Sequence, residues 1–359
     1  MSNPKVTILV PFYKQAEYVK STLDGCVNQD YDNYEIVVRD DFSNDRTAEK
    51  ILEYIENSDK KHLFTFVDIG DKNLGLTKSY NRLLKAASGD IIVSNGGDDI
   101  SFPERASKSV YLLNKYNVDI IGSDAITINH EGKVVRNTSL IADVHKAYGK
   151  GEYIKEDNIY LFRNLDYHNL FNNSYGGYSL VYRRSLLDVT NGILPENLYN
   201  EDYFLIFLAH INNGSLFSVN PLLYRRIGKY NLSQREHHTR EQFIQTFLFQ
   251  NGYHTKILEE ELKIAESGNY LLSDDKEKIT SVLRGYITIR NFEKNAYTKG
   301  KYSDNLKYIK DFFGNSQFKL THKLLFSLSC LFPNFYREYR IKRIKKWKEY
   351  VERTKIESN

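Results

Sequence analysis

Glu35-Ile36-Val37-Val38-Arg39-Asp40-Asp41-Phe42-Ser43-Asn44-Asp45-Arg46-Thr47 is the stretch on which the fold turns. Its short β-branched run predicts a strand buried on both faces rather than an alternating surface strand. Two adjacent carboxylates stand at the end of that strand, where burial and like charge make them costly unless they bind something. Ser43 and Asp45 can cap a following helix that carries Ala48, Ile51, Leu52 and Ile55.

The same unit repeats on either side. Val6–Val10 is a β-rich run ending at Pro11, and Tyr18, Val19, Leu23, Cys26 and Val27 then recur at helical spacing. Further on, His62–Ile69 reads as strand, Leu76–Ala87 as helix and Asp90–Val93 as strand. A helix opens near Pro103 and runs to Tyr116, and Val118–Ile128 returns to strand. Strands separated by helices predict βαβ units and a mostly parallel, Rossmann-like sheet, with ligands bound beyond the carboxyl ends of the strands. Tyr178–Tyr182 and Ser215–Val219 read as later strands, with a helix from Asp202 to Ile211 between them. After about residue 233 the periodicity is helical. The expected organisation is an α/β domain over 1–235 and a helical region over 236–359.

Composition narrows the function classes. The 359 residues are 41% hydrophobic, enough for a large core. Two cysteines far apart, Cys26 and Cys330, make no disulfide framework or zinc cluster and fit a reducing, cytoplasmic compartment. No apolar run reaches the length of a membrane span, and the N-terminus does not read as a signal peptide. The net charge of +4 is uneven: Lys319 to Asn359 carries +7 and the remainder −3.

Two further acidic clusters fall at expected strand or helix ends. Asn95-Gly96-Gly97-Asp98-Asp99 follows the fourth strand. Mg²⁺ or Mn²⁺ takes carboxylate and phosphate oxygens and keeps waters, so one or two protein carboxylates suffice to hold it on a diphosphate. Asn200-Glu201-Asp202 opens an apolar helix, where a carboxylate can accept the proton of an attacking hydroxyl. Acids are also favourable at any helix N-terminus, so this cluster alone decides little.

In order and spacing these clusters resemble glycosyltransferase family 2, whose members have the GT-A fold. Val6 to Tyr13 resembles the opening strand and its Pro-x-Tyr turn, and Asn28-Gln29-Asp30-Tyr31 through Glu35-Ile36 resembles the Q-x-Y…E-I segment. Asp40 to Thr47 matches D-D-x-S-x-D-x-T, Asn73-Leu74-Gly75 with Asn81 matches N-x-G…N, Asp98-Asp99 with Pro103 and Arg105 matches D-D…P-x-R, and Glu201-Asp202 matches E-D. The resemblance implies an inverting, non-processive transferase of cell-surface polysaccharide synthesis that uses a nucleotide-sugar donor, a UDP-sugar first, with Mn²⁺ or Mg²⁺. It implies nucleotide contacts from Pro11, Tyr13, Asp41, Asn81 and Asp98, a metal contact from Asp99, and Asp202 as catalytic base. Gly176, Gly177 and Glu201 fall where the acceptor pocket is expected. Gly96 stands where many relatives have an aspartate. The usual histidine of the diphosphate loop falls at Ile227, leaving Arg225, Arg226 or Lys229 to supply positive charge. The expected acceptor is a saccharide or a lipid-linked saccharide.

The tail carries an apolar stripe, Leu320, Leu324, Leu325, Leu328, Leu331 and Phe332. A basic stretch follows, containing Ile341, Ile344, Trp347 and Val351. This pattern suits an anionic membrane surface, placing the protein on the inner face of the cell membrane. The competing expectation packs the stripe on the catalytic domain. Nucleic acid is not an expected partner, since no recognition fold accompanies the charge. Two rivals remain: a sugar-1-phosphate nucleotidyltransferase, which lacks its glycine-rich phosphate loop here, and a catalytically silent sugar- or membrane-surface-binding protein.

Overall fold

The computed structural model describes residues 3–136, 140–149, 151–170, 175–227 and 240–343. The chain separates into two compact units, residues 1–235 with 269–273, and residues 236–268 with 274–359.

The first unit begins with β1 (Val6–Phe12), α1 (Val19–Val27), β2 (Tyr34–Asp40), α2 (Thr47–Glu56), β3 (Phe64–Phe66), α3 (Leu76–Ala86) and β4 (Ile91–Ser94). β1 pairs in parallel with β2 (Ile8 opposite Ile36) and with β4 (Ile8 opposite Val93), and β3 adds outside β2. Val6 through Val10 are all buried because helices cover both faces, which is why the run does not alternate. Leu23 and Cys26 of α1 and Ile51 of α2 join Ile8, Val10 and Val38 in one core.

The chain continues through β5 (Ile100–Ser101), α4 (Arg105–Tyr116), β6 (Ile120–Ser123), β7 (Ile126–Ile128), β8 (Val134–Arg136), α5 (Ile141–Tyr148), β9 (Glu152–Ile154) and β10 (Ile159–Phe162). It ends with β11 (Val181–Arg183), α6 (Glu201–His210), β12 (Ser215–Ser218) and β13 (Leu223–Arg226). The large sheet runs β3-β2-β1-β4-β11-β6-β12-β10-β9, and only β11 and β10 oppose the common direction. This is the mostly parallel α/β architecture expected. A small second sheet, β5-β13-β7-β8, lies at the carboxyl ends.

Three elements differ from the sequence reading. The strand expected over 62–69 is only Phe64–Phe66, a short edge preceded by a 3₁₀ turn. The single strand expected over 118–128 breaks at Asp124, whose Oδ1 accepts the Leu140 N–H (2.6 Å), and its two halves enter different sheets. The start of the strand expected at Tyr178 is a 3₁₀ turn, Gly177–Ser179.

The second unit is helical: α7 (Arg240–Ser267), α8 (Lys276–Thr298), α9 (Tyr302–Phe313), α10 (Leu320–Leu331) and a helical stretch over 333–343. Phe292, Phe312 and Phe326 form its aromatic centre, with Phe326 ring centroids 5.3 Å from Phe292 and 4.5 Å from Phe312. Among the described residues no helix is long and apolar enough to cross a membrane. Lys229, Ile344, Trp347 and Val351 lie outside the described residues.

Candidate active site

Pro11 has no N–H to continue the ladder with β4, whose last pairing is Ser94 with Leu9. β4 therefore turns off into Asn95–Asp99. Gly97 passes so close beneath the end of β1 that a Cβ there would lie 2.8 Å from the Pro11 carbonyl and 2.6 Å from the Phe12 ring. Glycine is required at that crossing. The Asp41 N–H donates to the Phe12 carbonyl (2.8 Å) and the Lys14 N–H to Ser43 Oγ (2.8 Å), so the ends of β1 and β2 interlock. Tyr13 and Phe42 stand about half exposed there. Lys14 (φ 55°) and Phe42 (φ 61°) hold left-handed backbone that non-glycine residues rarely take, a strain typical of ligand sites.

Asp41 is buried and well provided for. Its Oδ1 accepts Arg39 Nη1 (2.6 Å) and the Leu74 N–H (3.0 Å), and its Oδ2 accepts the Gly75 N–H (2.9 Å). The Asn73-Leu74-Gly75 motif is thus the clamp on Asp41, made possible by Gly75 at φ 78°. Asp40, whose carboxyl burial pushes up, caps the turn by accepting the Ser43 N–H (2.9 Å). Asn81 is not brought to this row. Both ends of its amide are engaged by the Leu194 backbone, at 2.8 and 2.9 Å, bridging α3 to a surface loop. The N-x-G…N spacing carries no information on which of its polar residues faces the cleft.

At the end of β4, Asp98 Oδ1 and Asp99 Oδ2 converge on Gly96. A Cβ on Gly96 would meet them at 3.2 and 2.6 Å, so a side chain at 96 would demand that they move. Burial, and then the charge of Asp98, push the Asp99 carboxyl up to about 7, and burial also raises Asp98. Two converging, desolvated carboxylates with raised proton affinity are a donor set that a hard divalent cation would suit. Among the described residues no cluster of three His, Cys, Asp or Glu stands ready to hold a metal, so such an ion would need oxygens from the ligand as well.

Positive charge reaches this loop from 127 residues away through the small sheet, in which β13 pairs with both β5 and β7. Arg226 is a latch. Its N–H donates to Asp99 Oδ1 (2.9 Å), its Nε to the Asp98 carbonyl (3.0 Å) and its Nη1 to the Asn129 carbonyl (2.9 Å). Arg225 instead lies over the Tyr178 ring, 4.7 Å from its centroid, and its charge favours the ionised forms of Asp98 and Asp99. Tyr178 lies against Gly176, where a Cβ would sit 2.1 Å from the ring, so Gly176 acts as the seat for that ring.

Gly177 brings the last cluster in. A Cβ there would lie 3.5 Å from Asp202 Oδ2 and 3.7 Å from Glu201 Oε1. Glu201 Oε2 is buried without a hydrogen-bond partner, and burial, then Asp202, push that carboxyl up to about 8. The cluster is tied to β4 by Arg105, which is fully buried. Its Nη2 donates to the carbonyls of Ser94 (2.6 Å) and Tyr178 (2.8 Å), and its Nη1 to Asn95 Oδ1 (3.0 Å) and Ser101 Oγ (2.9 Å). A series of contacts therefore links Asp41 to the end of β1, Gly97 to that same end, and the 95–99 loop through Arg105 to Tyr178, with Gly177 and Asp202 adjoining. Sequence reading named Arg226 only as a diphosphate cation, not as the latch on Asp98 and Asp99, and missed Arg39 and the Tyr80–Ser94 hydroxyl pair (2.5 Å). Their only signal was polarity inside buried runs.

The family model "Glycosyl transferase family 2" matches residues 7–189, from β1 through β11. The putative glycosyltransferase EpsH of Bacillus subtilis is 28% identical over 241 residues, 66% of this chain and 64% of the relative; EpsE of the same organism is 30% identical over 40% of this chain and 50% of itself. The chain thus spans about half to two thirds of these curated relatives. The Escherichia coli UDP-Glc:alpha-D-GlcNAc-diphosphoundecaprenol beta-1,3-glucosyltransferase WfgD is 26% identical over 65% of this chain and 79% of itself. Among solved structures, Staphylococcus aureus TarS 1–349 in complex with UDP superposes with TM-score 0.55 at 17% identity, covering 94% of this chain and 92% of that one. A Pyrobaculum calidifontis mannosyltransferase solved with GDP-Man and Mn²⁺ reaches 0.50 at 16% identity, covering 94% and 84%. The matched span holds the β1 turn, the Asp41 clamp and the Asp98–Asp99 pair on one sheet edge, and the chain belongs to glycosyl transferase family 2.

Proposed function

We propose that this protein transfers one sugar from a nucleoside diphosphate donor to a hydroxyl of a saccharide or lipid-linked saccharide, with inversion. The observation that carries the reading is the placement of Asp202 beside Gly177, next in the chain to Tyr178, whose ring holds Arg225 and whose hydroxyl feels the charge of Asp99.

The nucleoside would lie over the ends of β1 and β2. Tyr13 and Phe42 offer aromatic faces there, and Asp41 offers whatever acceptor capacity its three donors leave. Asp98 would hold the ribose, and Asp99 with Asp98 a Mn²⁺ or Mg²⁺ ion, which when bound neutralises the diphosphate as leaving group. Arg225, held on the Tyr178 ring, adds a cation to the diphosphate side, where relatives use a loop histidine. Asp202 takes the proton of the acceptor hydroxyl as it attacks the anomeric carbon opposite the leaving diphosphate. One displacement inverts the configuration and needs no covalent intermediate. A UDP-sugar is favoured because two TarS structures and the E. coli relative carry UDP or a UDP-sugar in their names, against the single mannosyltransferase structure with GDP-Man. The diphosphoundecaprenol in the relative's name favours a lipid-linked acceptor.

The deciding experiment is a panel of UDP-, GDP- and dTDP-sugars assayed for transfer and thermal stabilisation with Mn²⁺ or with EDTA. Metal-dependent stabilisation and hydrolysis or transfer of one donor is expected; no response to any nucleotide would overturn the reading. Arg225→Gln should raise the donor KM about tenfold by removing a charge-assisted contact, with a smaller change in kcat. An unchanged KM would place the diphosphate elsewhere.

Proton linkage gives a second check. Asp99 and Glu201 are shifted upward in the fold, so between about pH 4.5 and 8 the native state binds more protons than the unfolded chain and their contribution to stability falls as pH rises. In EDTA, wild type should therefore lose more Tm between pH 5.5 and 8 than Asp99→Asn does. Mn²⁺ with UDP should stabilise wild type more at pH 8 than at pH 5.5, since cation and proton compete for the same oxygens. Equal pH slopes in both proteins would show that Asp99 is ordinary.

A further inference from the structure

We propose that the outer face of α10, continued into the helical stretch 333–343, lies in the surface of a bilayer rich in anionic lipid. This extends the lipid-linked acceptor reading by naming the surface on which that acceptor would be met.

An amphipathic helix of a water-soluble unit hides its apolar face and shows polar residues to solvent. α10 has apolar residues on both faces. Phe326 and Cys330 point inward and are buried. Leu320, Leu324, Leu325, Leu328, Phe332 and Phe335 point outward, with exposures from 49% to 75%. Leu320, Leu324 and Leu328 recur every four residues with Leu325 beside them, a stripe along α10, and Phe332 and Phe335 are exposed just beyond its end, where the backbone leaves helical geometry at Phe332 (φ −122°, ψ 60°). Tyr302, whose hydroxyl lies 3.4 Å from the Leu331 carbonyl, and Phe313, under Lys323, extend the patch onto α9. Contiguous exposed apolar surface of this kind marks a docking site rather than scattered surface leucines.

The charges choose the occupant. Between residues 319 and 343 there are six Lys/Arg and a single acid, Glu338; Arg337 is buried and Arg340 pairs with Glu293 (3.5 Å), which leaves Lys319, Lys323, Lys342 and Arg343 for the surface. Lys319 and His322 are exposed beside the stripe. A second copy of this chain meeting the same face would set like charge against like charge. An anionic bilayer instead accepts the leucines and phenylalanines at its acyl boundary while the cations stay among the headgroups.

The test is cosedimentation of the full chain with vesicles of phosphatidylcholine alone or mixed with phosphatidylglycerol. Binding is expected to the mixed vesicles, to be weak on phosphatidylcholine, and to fall in 0.5 M NaCl, where the charges are screened. Leu325→Gln/Leu328→Gln should lower binding about tenfold or more while leaving circular dichroism and Tm unchanged, since both side chains are in solvent. Absence of binding to anionic vesicles, equal binding by the variant, or a leucine-dependent dimer without vesicle binding would each overturn the proposal. Nucleotide binding measured on the same samples separates the two readings: nucleotide binding without vesicle binding sinks only this one, and vesicle binding without nucleotide binding sinks only the transferase.

Discussion

Asp202→Asn should lower kcat for transfer by about 10²- to 10⁴-fold, the usual span for loss of a general base, and leave the nucleotide-sugar Kd within about twofold. The substitution keeps the volume, and it keeps a side-chain oxygen for the Tyr203 N–H that Asp202 Oδ1 accepts at 3.0 Å. What disappears is the basicity that takes the acceptor proton. The donor contacts proposed for Tyr13, Asp41, Asp98 and Arg225 involve other side chains, so they should survive. Glu201 is the internal control. Burial, then Asp202, push its carboxyl up to about 8, so it is mostly protonated at neutral pH. Glu201→Gln copies that neutral state and should cost far less than Asp202→Asn. If Glu201→Gln were the more damaging change, the base would be Glu201. If Asp202→Asn weakened donor binding as much as turnover, Asp202 would be structural.

The parts of this site that could be read from sequence are those whose cause is local. A β-branched run buried on both faces stays apolar throughout, so β1, β2 and β4 announce themselves, and the acids after β2 and β4 fall at strand ends by chain order alone. Helix α6 was legible because acids precede an apolar run. What could not be read depends on partners distant in the chain. Nothing near Asn81 says that its amide will be taken by Leu194, 113 positions away. Nothing near Arg226 distinguishes the latch on Asp99 from its neighbour Arg225, because the distinction is made by pairing of β13 with β5 and β7. The break at Asp124 likewise comes from a hydrogen bond to Leu140. The two glycines at 176 and 177 look equivalent in the sequence, yet one seats the Tyr178 ring and the other borders Asp202.

Arg105→Met should cost about 3 kcal/mol or more of stability, a Tm drop of roughly 6–12 °C for a unit of this size, and should disable catalysis without removing any group that touches substrate. Arg105 is fully buried, and its two terminal nitrogens make four hydrogen bonds: to Ser94 at the end of β4, to Asn95 just after it, to Ser101 of β5 and to the Tyr178 carbonyl. Methionine fills much of the stem volume but donates nothing, leaving two buried carbonyls and Asn95 Oδ1 short of donors. It also unties the link from the Asp98–Asp99 loop to the turn carrying Gly177, beside Asp202. Arg105→Lys preserves charge but offers one point donor in place of a planar fork, and should recover only part of the loss. The informative comparison is kinetic. As a positioning residue, Arg105 should affect kcat more than donor KM, since misplacing Asp202 relative to the donor harms the attack more than the grip. A variant with normal Tm and a loss confined to KM would instead put this guanidinium on the donor, against its complete burial.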